Sequence, residues 1–401
     1  MTVLCFADTR FPIERANGLQ TMATCHALAA EGHDVTLVVR PDTAASGRDP
    51  FSFYDLPSVS RLRIETIGRS RGKRANRIRF LLSSLKRATE RPDATVWTRD
   101  LGLAAFLLQL PAARRPTVVY ESHGIAPIVS EELPTLLGHP DLAPTRRKLE
   151  RLDARERRVW RRAPAYVTIT KALADDLAAR YGPRPNVFVV PDGAALDRAP
   201  GETQPESLDV TSGQSRPCVA GYAGHLYPWK GVDVLIRALA IATGVRGLIV
   251  GGHPGERDRA RIDALVGQLG LGDRVEITGL VPFRDVRSHL QRASILVLPN
   301  SSSAISERYT SPLKLFEYLA LGRPIVASDL PAIREVLTHE RTALLVPPDD
   351  PAALGRALER LAGDATLAET LGRAAHALAS HYTWAQRARR LEAALEAARP
   401  S

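Results

Sequence analysis

Residues 218–240 read CVAGYAGHLYPWKGVDVLIRALA. A small, apolar run ends at Gly224, a loop carries His225 and Lys230, and a helical pattern begins near Gly231–Asp233. Strand, loop and helix in that order are the repeating unit of a parallel α/β sheet. The first-turn amides of such a helix point outward without partners, and the helix dipole there favours an anion. A lysine five residues after His225 reaches phosphate oxygens held over those amides; the plainer reading is a turn with an exposed lysine. The spacing is neither Gly-x-Gly-x-x-Gly nor a Walker loop, so neither a dehydrogenase nor a P-loop ATPase is indicated.

The same alternation extends in both directions. Upstream, apolar runs suited to buried strands lie at 3–7, 34–39, 94–98, 117–122, 165–170 and 186–191, and 19–32 reads as a helix closing on Gly32. Downstream they recur at 246–252, 274–279, 294–300, 324–329 and 342–348, before a helical tail. Residues 199–217, rich in Pro, Gly, Ser and Thr, read as a linker. The expected class is therefore α/β, with doubly wound domains at 1–198 and 218–383 and a C-terminal helix, 384–401, packing back on the first. Two such domains facing one another bring their strand C-termini to a shared cleft, where ligands bind in open α/β sheets.

Composition narrows the class. The chain has 401 residues, beyond the ~250–300 at which a single core stops growing. Its three cysteines, Cys5, Cys25 and Cys218, form no Cys-x-x-Cys; this excludes a disulfide framework or a cysteine-rich zinc module and fits a reducing compartment. The longest greasy stretch, 101–110, falls short of the roughly 20 residues a bilayer demands, and the opening lacks the features of a secretory signal. A cytoplasmic protein is expected. The net charge of +10 suits nucleic acid, an anionic membrane or phosphorylated small molecules. Only six residues are lysine, which makes Lys230 in a loop worth notice.

A second constellation is SERYTSPLKLFEYLALGRPIVASDLPAIREVL, 306–337. A Ser/Thr/Pro loop feeds a helix with Leu315, Phe316 and Leu319 on one face, and Gly322 ends it. Thr310 and Ser311 are placed to cap that helix, and Pro312 suits its first turn. Glu317 lies about one and a half turns in, where a carboxylate can accept two hydrogen bonds from a ribose diol; alternatively it is a solvated glutamate beside a solvated lysine.

With both constellations present, the chain resembles the retaining glycosyltransferases of family 4, which have the GT-B fold of two Rossmann-like domains. The likeness runs over essentially the whole length, through RANGLQTMATCHALAAEGHDVTLV, YESHG, ITKALADDL and VVPDGAALD in the first half and GHLYPWKG, IVGG, ITGLVP and SPLKLFEYLALGRPIVAS in the second. It implies a UDP- or GDP-sugar donor held by the second domain and an acceptor hydroxyl at the first. Lys230 matches the family's diphosphate-binding lysine, and Glu317 the second glutamate of its Glu-x7-Glu pattern, which holds ribose. Amides near Ser311, Pro312 and Leu313 would sit on the diphosphate, with Gly224 at the loop entrance. Gly279–Pro282, including Val281, matches the turn that receives the base. Gly18 would let a first-domain loop approach the donor, and His123 matches a cleft histidine near the transferred sugar. Asp8 is a candidate for an acceptor hydroxyl, or a cap or turn residue.

Two departures stand out. His225 occupies a position where many members have arginine, and Tyr309 stands eight residues before Glu317, so the first glutamate is absent. That absence puts donor identity in question. Membership also implies retention of anomeric configuration with no protein nucleophile, no metal and no cofactor beyond the nucleotide sugar. Lys230, His225 and His123 are the residues expected at the reacting centre. The acceptor class is lipid-linked, saccharide or small-molecule, with cell-envelope glycan or glycolipid synthesis as the commonest setting, and nucleic acid is not expected as a partner. The alternatives are a GT-B sugar nucleotide 2-epimerase and an inactive GT-B partner subunit. The basic stretch 69–91, with Ile78, Phe80, Leu81, Leu82 and Leu85 among its arginines, reads either as a domain helix with a buried stripe or as a helix lying on the anionic inner face of the cell membrane.

Overall fold

The computed structural model describes residues 1–45, 47–69, 72–196, 217–252 and 257–399. The linker expected at 199–217 therefore falls almost wholly outside the described residues. The chain divides into two compact units, one of Met1–Asp192, Arg308–Ser311 and Trp384–Ser401, the other of Gly193–Glu307 and Pro312–Thr383.

The first unit is built on seven parallel strands, β1 (Thr2–Arg10), β2 (Asp34–Arg40), β3 (Leu62–Thr66), β4 (Thr95–Thr98), β5 (Thr117–Ser122), β6 (Ala165–Thr168) and β7 (Val187–Val189). Their order is β3-β2-β1-β4-β5-β6-β7. The central β4 is buried along its whole length, as continuous apolar runs in a sheet covered on both faces should be. The edge strand β3 escaped the sequence reading because only Leu62 of its five residues is buried and its polar residues alternate outward. On one face of the sheet Trp160, Tyr166 and Tyr120 pack edge to face, and Tyr309 joins the same core at 5% exposure. Beneath them Glu156 is fully buried and accepts hydrogen bonds from the Ala126 amide, 2.7 Å, and the Tyr166 hydroxyl, 2.8 Å. Burial pushes its carboxyl up to about 7.

The second unit repeats the plan with six parallel strands, β8 (Cys218–Ala223), β9 (Val245–Val250), β10 (Val275–Gly279), β11 (Ile295–Leu298), β12 (Ile325–Ser328) and β13 (Leu344–Val346), ordered β10-β9-β8-β11-β12-β13. Alternate residues of every strand but the edge strand β10 feed opposite cores. Ile295 and Val297 pack with the helix Val232–Ile241, and Leu296 and Leu298 with the helix Leu313–Leu321. In both units strand order reverses beside the first strand, between β1 and β4 and between β8 and β11. That reversal opens a crevice at the strand C-termini, where ligands of doubly wound sheets bind.

Candidate functional site

In the second unit the reversal point is occupied by the loop that leaves β8. Gly224 turns it at φ +134°, and the Tyr222 hydroxyl donates to the His225 carbonyl at 2.6 Å. The rings of His225, Tyr227 and Trp229 then stack in file, with centroids 4.9 and 4.6 Å apart and planes within 13°. Lys230 follows, and Gly231 takes the left-handed conformation (φ +69°) as the residue before the helix Val232–Ile241. A methyl group at 231 would lie 1.7 Å from the Pro299 carbonyl oxygen, so only glycine lets this loop rest on the end of β11. The Ser301 amide donates to the Trp229 carbonyl at 3.1 Å and closes the same seam. Beside it Asn300 is fully buried, and neither atom of its side-chain amide has a hydrogen-bond partner.

Two lysines and a carboxylate gather here. Lys230 is partly buried, and desolvation lowers its ammonium to about 8. Lys314, one residue into the helix Leu313–Leu321, lays its Nζ 3.8 Å from the centroid of the Tyr222 ring. Its ordinary value is lowered strongly, first by burial and then by the Lys230 charge. Glu317 follows one turn later on the same helix face, and burial raises its carboxyl despite the nearby Lys314 and Arg287. Among the described residues no group of three His, Cys, Asp or Glu side chains is arranged to hold a metal ion.

In the first unit a buried polar network lies at the end of β5. Glu121, fully buried, accepts from Gln20 (3.0 Å), His123 Nε2 (2.6 Å), Arg387 (2.7 Å) and Trp97 Nε1 (3.2 Å). Arg387 and His123 hold its carboxyl far below the usual carboxylate range against the effect of burial. Arg99 donates to His123 Nδ1 at 3.0 Å, which leaves the ring proton on Nε2 for Glu121. Burial and the Arg99 charge lower His123 to about 4, so the ring is neutral at pH 7 and engaged at both nitrogens.

Residues 18–193 match the glycosyl transferase 4-like domain, and residues 217–364 match the family described as glycosyl transferases group 1. The chain belongs to the group 1 glycosyl transferases. Its fold is GT-B. Sucrose-phosphate synthase from Thermosynechococcus elongatus superposes with a TM-score of 0.72 at 18% identity, covering 98% of this chain and 97% of that one. Anabaena Alr3699/HepE in complex with UDP-glucose does so with a TM-score of 0.72 at 17% identity, over 99% of each chain. D-inositol 3-phosphate glycosyltransferase of Nocardia farcinica is 30% identical over 244 residues, 58% of this chain and 52% of that protein. The chain thus spans about half the length of that curated relative.

For this group 1 glycosyl transferase the structure places the expected residues unevenly. Gly224, His225, Lys230 and Glu317 lie in the second unit, the first three in one loop. Val281, just beyond β10, is partly buried and packs against the core, while neighbouring Leu280 is exposed. Ser311 does not cap the helix: its Oγ accepts from the Asp192 amide at 2.9 Å. Pro312 is the capping residue, with no side-chain cap bond, and Leu313 opens the helix. Gly18 lies in the first turn of the helix Ala16–Ala30, not in a loop. A methyl group there would sit 2.3 Å from the Tyr54 hydroxyl, so the space it frees is filled by Tyr54. Asp8 lies within β1, not after it, and pairs with Arg40 (2.6 Å) and Arg77 (2.7 Å), Arg77 reaching on to Asp100. Tyr309 donates its hydroxyl to Asp176 at 3.1 Å, and Arg308 pairs with the same carboxylate. Lys314, Asn300, Arg387 and Glu121 were missed. Only Lys314 carried a signal, its i−3 spacing from Glu317.

Proposed function

We propose that this protein transfers a sugar from a UDP- or GDP-sugar to an acceptor hydroxyl with retention of anomeric configuration. The observation that carries this reading is the loop 224–231, with Lys230 presented at the strand-order reversal of the second unit and Glu317 on the adjoining helix. A fixed cation at the departing diphosphate stabilises charge that develops only in the transition state, an effect worth on the order of 10²–10³ in rate for one such group. Glu317 would hold the ribose diol. The first unit would supply the acceptor side, with His123 as a group held in place by Arg99 and Glu121. The UDP and UDP-glucose in the Anabaena structures support a nucleotide sugar as donor.

The test is thermal unfolding with UDP, GDP, ADP and NAD on the wild type and Lys230→Ala. A ligand at a hundred times its Kd adds ~2.7 kcal/mol, several degrees in Tm for a protein of this size. A shift with UDP or GDP that Lys230→Ala abolishes is expected; a protein that none of the four shifts contradicts the reading. Products formed with and without an acceptor then separate transfer from epimerisation.

We also propose a peripheral membrane setting. Among the described residues no helix is long and apolar enough to cross a membrane. The helix Lys73–Glu90 buries Phe80, Ser84 and Ala88 and leaves Ile78 and Leu82 more than half exposed, beside exposed Arg74, Arg79 and Lys86. Apolar side chains framed by cations fit an anionic bilayer surface. Flotation with anionic vesicles at low salt is expected to carry the wild type and not Ile78→Ser/Leu82→Ser. Failure of the wild type to float sinks the idea.

A further inference from the structure

Lys314 is an anomaly in the second unit. Its ammonium has no hydrogen-bond partner and is shut off from water, no ion pair joins it to Glu317 or any other carboxylate among the described residues, and the centroid of the Tyr222 ring lies 3.8 Å from it. A second lysine, Lys230, stands near enough to disfavour its charge. Burying an ammonium without a partner is strongly unfavourable, and placing a like charge beside it makes matters worse. A packing role would be met as well by methionine. Two cations converging with less than matching negative charge are what a dianionic ligand would compensate.

The route to a ligand runs through Gly224. A methyl group there would lie 3.1 Å from the Lys314 ammonium, so glycine brings the backbone of the 224–230 loop down onto Nζ. The loop that approaches Lys314 at Gly224 carries Lys230 six residues further on. Lys314 also sits in the first turn of its helix, where the dipole favours an anion.

We propose that Lys314 is a second cationic binding residue for the donor diphosphate, acting with Lys230 across the Gly224 turn. This rests on the nucleotide-sugar reading of the site. When the diphosphate is bound, Lys314 is charged and hydrogen-bonded to it; in the free protein it is held without a partner, at the expense of stability.

The experiment compares wild type, Lys314→Met, Lys314→Gln and Lys230→Met by titration calorimetry with UDP, GDP, ADP, inorganic pyrophosphate, uridine and guanosine, and by the Tm of each free protein. Lys314→Met and Lys314→Gln are expected to weaken the best-bound nucleoside diphosphate by about tenfold or more, the scale of a lost hydrogen bond to a charged group. The matching nucleoside should bind as before, and Lys314→Met should leave the free-protein Tm unchanged or higher. A packing role predicts unaltered diphosphate affinity in both Lys314 variants, and that result overturns the proposal. If both Lys314 variants bind the diphosphate like wild type while Lys230→Met does not, Lys314 is no ligand and the site reading survives. If the wild type binds none of the diphosphates, the proposal and the site reading fall together.

Discussion

Replacing Arg387 by methionine is expected to destabilise the protein by about 3–5 kcal/mol, a fall in Tm on the order of 10 °C. Arg387 lies on the C-terminal helix Trp384–Ala397 and is 1% exposed. It donates to Thr24 Oγ1 (2.9 Å), the Val190 and Pro191 carbonyls (2.8 and 2.9 Å) and Glu121 (2.7 Å), and it faces Asp192 at 3.5 Å. Methionine fills much of the volume and supplies none of these donors, leaving two carbonyls and a buried carboxylate short of partners. The penalty comes chiefly from the stranded Glu121 charge, so Arg387→Met/Glu121→Gln should recover a large part of it. The sign of the pH dependence follows. Glu121 is held below its unfolded value, so its contribution is fully present above the ordinary carboxylate range and lost only as pH falls through its depressed folded value. Calorimetric unfolding at pH 7 checks the prediction, and a single variant within 1 kcal/mol of wild type would show the network to be dispensable.

Gly231→Ala is expected to lower stability by about 2–4 kcal/mol, combining the left-handed strain of a non-glycine residue with overpacking, and to abolish the Tm response to nucleotide. The overlap falls on backbone, 1.7 Å from the Pro299 oxygen and 2.7 Å from its carbon, so no rotamer relieves it. Either the end of β11 or the loop presenting Lys230 must move. Gly270 supplies the control: its φ is +65°, and a methyl group there meets nothing within 4 Å. Gly270→Ala therefore carries the conformational term alone, about 1–2 kcal/mol, and keeps the nucleotide response. Equal losses at the two positions, measured by denaturant unfolding, would refute the steric argument.

Local patterns settled what depends on a few neighbouring residues. Continuous apolar runs such as 295–298 and 325–328 mark strands buried on both faces, because parallel sheets are covered on both sides. Strand, loop and helix around 218–240 place Lys230 because a strand end and a helix start are themselves local. Periodicity fails where one face is wet, as at β3, and where the partner is remote. Glu121 and Arg387 are 266 residues apart, and neither side chain advertises that the other will neutralise it. The same holds for Tyr309, which stands where the family resemblance implies a glutamate and in the fold packs its ring into the first unit's core. Lys314, in the sequence at most a solvated lysine beside Glu317, is laid on Tyr222 by the fold, and Gly18, expected to let a loop approach a donor, makes room for Tyr54. The chain by itself determined the fold and the place of Lys230 in the loop that follows β8. Which charges are buried, which are paired and which lack a partner was decided by tertiary packing, since desolvation and pairing are properties of surroundings that no short stretch of sequence contains.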